Sequence, residues 1–81
     1  MLTCYCYILE CADGTYYTGW TTDPSRRLIQ HNEGRASRYT RSRLPVKLVC
    51  LEPLPDRVTA MKRERAIKVM TRDQKRELFN S

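Results

Sequence analysis

Residues 16–31 read YYTGWTTDPSRRLIQH: a β-favouring aromatic run, then Asp-Pro, then an arginine-bearing segment with helical spacing. Asp23 is a natural N-cap, Pro24 suits the first helical position and Gly34 is the stop, so the spacing predicts a helix from about 24 to 33. On that helix Arg27, Leu28 and His31 are neighbours, being three or four residues apart. Upstream, TCYCYILEC at 3–11 and TYYTGWT at 15–21 both read as strands, and Asp13-Gly14 between them signals an antiparallel hairpin. Two turns fit. A two-residue turn pairs positions whose numbers sum to 27 and sends Tyr7 and Tyr17 to opposite faces. A three-residue loop, Ala12 to Gly14 with Gly14 left-handed, sums to 26; only this one puts both tyrosines on one face, with Gly19 opposite Tyr7.

Downstream, RASRYTRSRLP at 35–45 is polar and basic, a surface loop with one short helical turn around 37–42. PVKLVCLEP at 45–53 reads as a third strand bracketed by prolines, with Val46, Leu48 and Cys50 on one face and Val49 and Leu51 on the other. Asp56 opens a helix to about Val69, and Thr71 with Gln74 forms a capping box for a last helix ending near Phe79. The order β-β-α-β-α-α predicts a single α+β domain over 1–81, a small three-stranded antiparallel sheet flanked by helices.

The net charge of +6 is concentrated. Residues 1–25 carry Glu10, Asp13 and Asp23 and no Lys or Arg, whereas 26–47 carry Arg26, Arg27, Arg35, Arg38, Arg41, Arg43 and Lys47 against Glu33 alone. A polyanion is the natural partner of such a patch, because neutralised phosphates release counterions; the same charge also serves solubility. Arg outnumbers Lys eleven to four, which suits phosphate recognition by a planar fork. Cys4, Cys6, Cys11 and Cys50 have neither zinc-ligand spacing nor a disulfide-like pattern and read as buried reduced thiols. The N-terminus lacks a basic and apolar leader pattern, nothing approaches a membrane span, and a cytoplasmic location is expected.

Glu64 stands at the edge of the buried stripe of its helix, beside Ala60, Met61, Ile67 and Lys68. It reads either as an i, i+4 partner of Lys68 or as a carboxylate ligand for a hard divalent cation. Four tyrosines, Tyr5, Tyr7, Tyr16 and Tyr17, crowd the hairpin; a phenol titrating near 10 is a weak base at neutral pH unless a cation such as Arg27 stands nearby. His31 is either a cover for the sheet or a proton shuttle. Trp20 reads as core, with nucleobase stacking as its second use.

Together these residues resemble the GIY-YIG nuclease domain, whose two tripeptides lie on the first two strands. Here the first is Tyr5-Cys6-Tyr7 and the second Tyr17-Thr18-Gly19, followed by Arg27 in DPSRR, His31, and Glu64 in RERAIK. The likeness covers nearly the whole chain and is nearest to the short stand-alone bacterial members of UPF0213 type; branched-DNA nucleases, the excinuclease family and homing endonucleases are more distant. The first tripeptide has Tyr5 where the family has glycine, and Asn80 is the only candidate for a C-terminal asparagine, with no role carried over. The resemblance implies metal-dependent endonuclease hydrolysis of DNA phosphodiesters, of a kind used in repair or recombination. One Mg²⁺ or Mn²⁺ would sit at Glu64, with Arg27 on the phosphate, Tyr7 or Tyr17 as base, His31 as relay and Gly19 as a structural element. Arg35, Arg38, Arg41, Arg43 and Lys47 would track the DNA backbone without reading sequence. A nucleic-acid-binding module of the same fold that does not cut is the alternative, and a protein partner is a further one.

Overall fold

A computed structural model of the chain describes residues 3–80. Its elements are β1 (Cys4–Glu10), β2 (Tyr16–Thr21), α1 (Pro24–Asn32), α2 (Arg38–Arg41), β3 (Lys47–Leu54), α3 (Arg57–Lys68) and α4 (Arg72–Glu77). The strands form one antiparallel sheet in the order β2-β1-β3, with β1 central. The α+β reading and its element order hold.

The hairpin takes the three-residue form. Tyr7 pairs with Gly19 and Leu9 with Tyr17, and the Cys11 N–H donates to the Thr15 carbonyl at 2.8 Å, closing the loop around Ala12, Asp13 and Gly14. Gly14 has φ +83°, a conformation that costs glycine nothing and other residues a good deal. Asp13 fixes the loop by accepting from the Thr15 hydroxyl and N–H and from Arg43 Nε. Tyr7, Leu9, Tyr17 and Gly19 therefore share a face.

That face packs with Val46, Cys11, Leu28, Leu44 and Leu48 beneath α1 and α2, while Cys6, Ile8 and Tyr16 on the other face pack with Ile67, Met70, Leu78 and Phe79 of the α3–α4 segment. Two hydrophobic layers thus flank one sheet. The even alternation expected along β3 fails at a bulge: Ile8 pairs with Cys50 but Leu9 with Leu48, leaving Val49 as the extra residue. Leu48 consequently stays with Val46 on the α1 side, while both Val49 and Cys50 turn to the α3 side. Strand periodicity carries no mark of such an insertion.

α1 begins where Asp23 accepts from the Arg26 N–H at 3.2 Å. It ends in a Schellman arrangement, Arg35 N–H to Gln30 carbonyl and Gly34 N–H to His31 carbonyl, with Gly34 at φ +76°. Just before it, Asn32 accepts from the Val46 N–H at 2.8 Å and donates to the Val46 carbonyl at 3.0 Å, tying the helix end to the approach of β3. α3 is held to β3 by a two-pronged Arg63–Glu52 pair at 2.8 and 3.0 Å. Among the described residues no helix is long and apolar enough to cross a membrane.

All four cysteines are free; Cys4, Cys6 and Cys11 are buried and Cys50 is half-buried. Burial, with a contribution from Glu52, pushes the Cys6 thiol up to about 11, so it stays protonated and behaves as a small apolar side chain.

Candidate active site

Tyr7 is 3% exposed, and its hydroxyl lies 2.8 Å from Nε2 of His31, which is completely buried. His31 Nδ1 in turn lies 2.8 Å from the hydroxyl of Thr40, also completely buried, and Thr40 Oγ1 lies 3.4 Å from the Ser37 carbonyl. With the Thr40 hydroxyl donating to Ser37, Thr40 accepts from His31 Nδ1–H, and the bare Nε2 accepts from the Tyr7 hydroxyl. The chain of bonds then has one direction, from Tyr7 inward.

Burial, with the neighbouring Arg27 charge, lowers the His31 pKa to about 4, so the imidazole is neutral at physiological pH. Burial also raises the Tyr7 phenol to about 12, against the opposing pull of Arg27 beside it. The resting pair is thus a neutral phenol on a neutral imidazole. Tyr17 meets the His31 ring edge-on, with centroids 5.2 Å apart, and stacks on Tyr39 at 5.9 Å, so two tyrosines of the hairpin converge on one histidine of α1.

Gly19 makes this convergence possible. A Cβ at position 19 would stand 2.5 Å from the Tyr7 hydroxyl oxygen and 2.6 Å from Cζ, closer than real Cβ atoms approach. The Tyr7 ring lies across the glycine, and the reason for glycine is space, since its φ is not positive.

Arg27 stands beside Tyr7, and its Nη1 donates to Gln30 Oε1 at 3.2 Å. Glu64 arrives from the other layer of the molecule, on α3. Its charge is felt both by Cys6 on α3's own face and by Tyr7 on the opposite one, which puts the carboxylate within reach of both. Its partner is Lys68 at 3.9 Å, half exposed, whose ammonium also reaches the Tyr17 ring at 6.0 Å. Tyr17 belongs to an edge strand and faces away from α3, so Lys68 must pass round the outer edge of β2.

Glu64 therefore has both roles open to it: it is a loose i, i+4 partner of Lys68 and a partly exposed carboxylate whose charge reaches Tyr7. Among the described residues no group of three or more His, Cys, Asp or Glu gathers to cage a metal. One accessible carboxylate with an easily displaced ammonium fits a Mg²⁺-type ion, which keeps most of its waters and takes few protein ligands.

The basic segment is less uniform than its sequence suggests. Arg35 pairs with Glu33, Lys47 with Glu10 at 3.1 Å, and Arg43 with Asp13 at 3.0 Å while its guanidinium covers the Tyr39 ring at 3.9 Å. Arg38 and Arg41 have no acidic partner among the described residues. The expected surface loop also holds a buried residue, since the Ser37 N-cap of α2 turns Thr40 inward.

Sequence reasoning missed Thr40. The Ser-x-x-Thr spacing was the available signal, because a residue three places after an N-cap returns to the same helix face. It also missed a row of cations along β2: Arg57 over Trp20 at 5.6 Å, Lys68 over Tyr17, and Arg72 over Tyr16 at 5.2 Å. Trp20, expected in the core, is only half-buried and lines an open cleft. Asn80 contributes a backbone N–H to the Arg76 carbonyl and lies exposed.

The sequence profile of the GIY-YIG catalytic domain matches residues 3–77. A UPF0213 protein of Halobacterium salinarum is 51% identical over 73 residues, covering 90% of this chain and 95% of its own length. Another from Streptococcus agalactiae is 52% identical over 71 residues, covering 88% of this chain and 81% of its own. Two solution NMR structures are similar at 43% identity: a UPF0213 protein from Bacillus halodurans (TM-score 0.59, 94% of this chain and 81% of that one) and a protein from E. faecalis (TM-score 0.63, 93% and 80%).

Proposed function

The chain belongs to the GIY-YIG family, and from that membership we propose that it is an endonuclease that hydrolyses DNA phosphodiesters at the Tyr7–His31–Arg27–Glu64 cluster. The observation that carries this reading is the buried, one-directional bond chain behind Tyr7. A structural tyrosine needs one acceptor for its hydroxyl; here a neutral imidazole, itself anchored by a buried threonine, lies behind a phenol that also has the Arg27 guanidinium beside it.

Arg27 binds the scissile phosphate and stabilises the charge that develops on it. Tyr7 takes the proton of the attacking water, and its own hydroxyl proton already points to His31 Nε2, the acceptor that orients it. Thr40 keeps Nδ1–H occupied and Nε2 free for that bond. Tyr17 walls the site and orders His31 by its edge contact. Glu64 is the residue to hold Mg²⁺ or Mn²⁺, chiefly through water; such an ion, when bound, acidifies water and neutralises the leaving oxygen. Arg38 and Arg41, the unpaired part of the basic segment, hold the flanking backbone.

The test is cleavage of nicked, flap and branched DNA with Mg²⁺ or Mn²⁺ by the wild type and Glu64→Ala. Loss of at least 100-fold in rate with retained DNA binding is expected. Unchanged cleavage in Glu64→Ala would remove Glu64 from the site, and binding without cleavage on every substrate and metal would make the chain a binding module.

A further inference from the structure

At the start of β2, where the two layers of the molecule meet, lies an open pocket of about 190 Å³ lined by Thr15, Tyr16, Tyr39, Arg72 and Lys75. No step of the hydrolysis uses it. It falls short of the usual range of small-ligand clefts, about 300–1,000 Å³, yet exceeds several-fold the roughly 30 Å³ that one water occupies. A single phosphate group with its waters is of that size. No carboxylate lines the pocket, and Arg72 and Lys75 have no acidic partner among the described residues. Asp13, two residues before Thr15, is already engaged by the Thr15 hydroxyl and by Arg43.

The geometry points to a second phosphate-binding site here, apart from the one Arg27 serves, that holds a backbone phosphate of the nucleic acid bound at the cluster. This inference rests on the nuclease reading for its partner, but not on hydrolysis. Arg72 is set in place before any ligand arrives: its Nε donates to the Gly14 carbonyl at 3.2 Å and its guanidinium lies 5.2 Å from the Tyr16 ring centroid. That leaves both Nη groups for the two-pronged fork that suits a phosphate. Lys75 stands three residues on, so the two cations are neighbours on α4, where like charges repel and an anion between them relieves the repulsion. Tyr39, another wall of the pocket, stacks on Tyr17 at 5.9 Å, and Tyr17 meets His31 at 5.2 Å, so two ring contacts separate the pocket from the cluster. At about 3.4 Å per nucleotide of one strand, that path spans about three nucleotides. Lys68, 6.0 Å from the same Tyr17 ring, gives the path a third cation. The anion that fits is a polymer, because the cations continue on both sides of the pocket: Arg57 further along β2, and Arg38 and Arg41 on the helix that carries Tyr39.

A short DNA duplex is titrated with the protein in EDTA, where no metal-dependent cleavage occurs, at several chloride concentrations, and affinity is read from the anisotropy of a terminal dye. Arg72→Gln removes the fork, and Lys75→Gln leaves the ties of Arg72 intact. Each should flatten the log–log salt slope by about 0.9, the value of one phosphate contact. Lys62→Gln, an equal loss of charge at an exposed position of α3 outside the pocket, should leave the slope unchanged. Amide NMR spectra with inorganic phosphate, against chloride at equal ionic strength, locate the site: shifts should concentrate on Thr15, Tyr16, Tyr39, Arg72 and Lys75. Slopes unchanged in both pocket variants would overturn the inference, as would an equal flattening by Lys62→Gln or phosphate shifts that miss the pocket. Phosphate shifts at the pocket with unchanged slopes would make it a site for the free anion and overturn the backbone assignment. Flattened slopes without cleavage on any substrate defeat the nuclease reading alone. Cleavage with unchanged slopes defeats this inference alone.

Discussion

At Gly19 the fold and the site depend on one missing methyl group. The Tyr7 ring occupies the space a side chain would need, and neither can give way easily: Tyr7 is pinned by His31 and Gly19 is in the middle of a strand. Gly19→Ala is therefore expected to cost about 1–3 kcal/mol in unfolding free energy, the usual range for overpacking, and to lower cleavage by at least 100-fold as the Tyr7 hydroxyl is pushed off Nε2. Urea midpoints and single-turnover rates check the two effects separately. The requirement for glycine was legible in the register, once the three-residue turn placed position 19 opposite Tyr7. The depth of His31 was not. Its spacing on α1 showed which face it shares with Arg27, but not that α2 would fold over it and supply Thr40.

Among the elements, the segment from Arg35 to Lys47 shows most clearly where sequence and structure part. Composition marked it correctly as basic, yet charge counts do not show which arginines are engaged, because the acids that pair with Arg43 and Lys47, Asp13 and Glu10, lie some thirty or more positions away in the chain. Exposed pairs of this kind contribute only about 0–1 kcal/mol, and their job is local: Arg43 ties the hairpin turn to α2. Reversing the charge of Arg38 and Arg41 together should weaken duplex binding and flatten the salt dependence by about 0.9 in log–log slope per lost phosphate contact. The same reversal at Arg35 should have a smaller effect; binding isotherms at several salt concentrations measure both. By contrast, the boundaries of α1 were readable almost to the residue, since Asp23, Pro24 and Gly34 act through local backbone chemistry that no distant contact overrides.

For the molecule as a whole, two layers on a three-stranded sheet leave little excess stability, so a single buried titratable group is felt globally. His31 titrates about 4 when folded and near 6.5 when unfolded, so below 6.5 the unfolded chain binds the extra proton. Stability should be independent of this group above pH 6.5 and fall by up to about 1.4 kcal/mol per pH unit as pH drops from 6.5 towards 4. Urea denaturation at pH 7.5, 6 and 5 measures the slope, and His31→Gln should flatten it. The sheet's two borders differ in how open they leave a strand edge to another strand. On β3 the border is blunted by Pro53, which has no N–H to offer, and by the bulge at Val49. β2 has neither device, and its aromatic run YYTGW is the kind of sequence that invites another strand to add to it. Arg57, Lys68 and Arg72 lie over that run, so an approaching second copy meets its own charge. Replacing Lys68 and Arg72 with Gln should lower the concentration at which light scattering first detects aggregates: the cations that line the border of the site also act as guards against polymerisation.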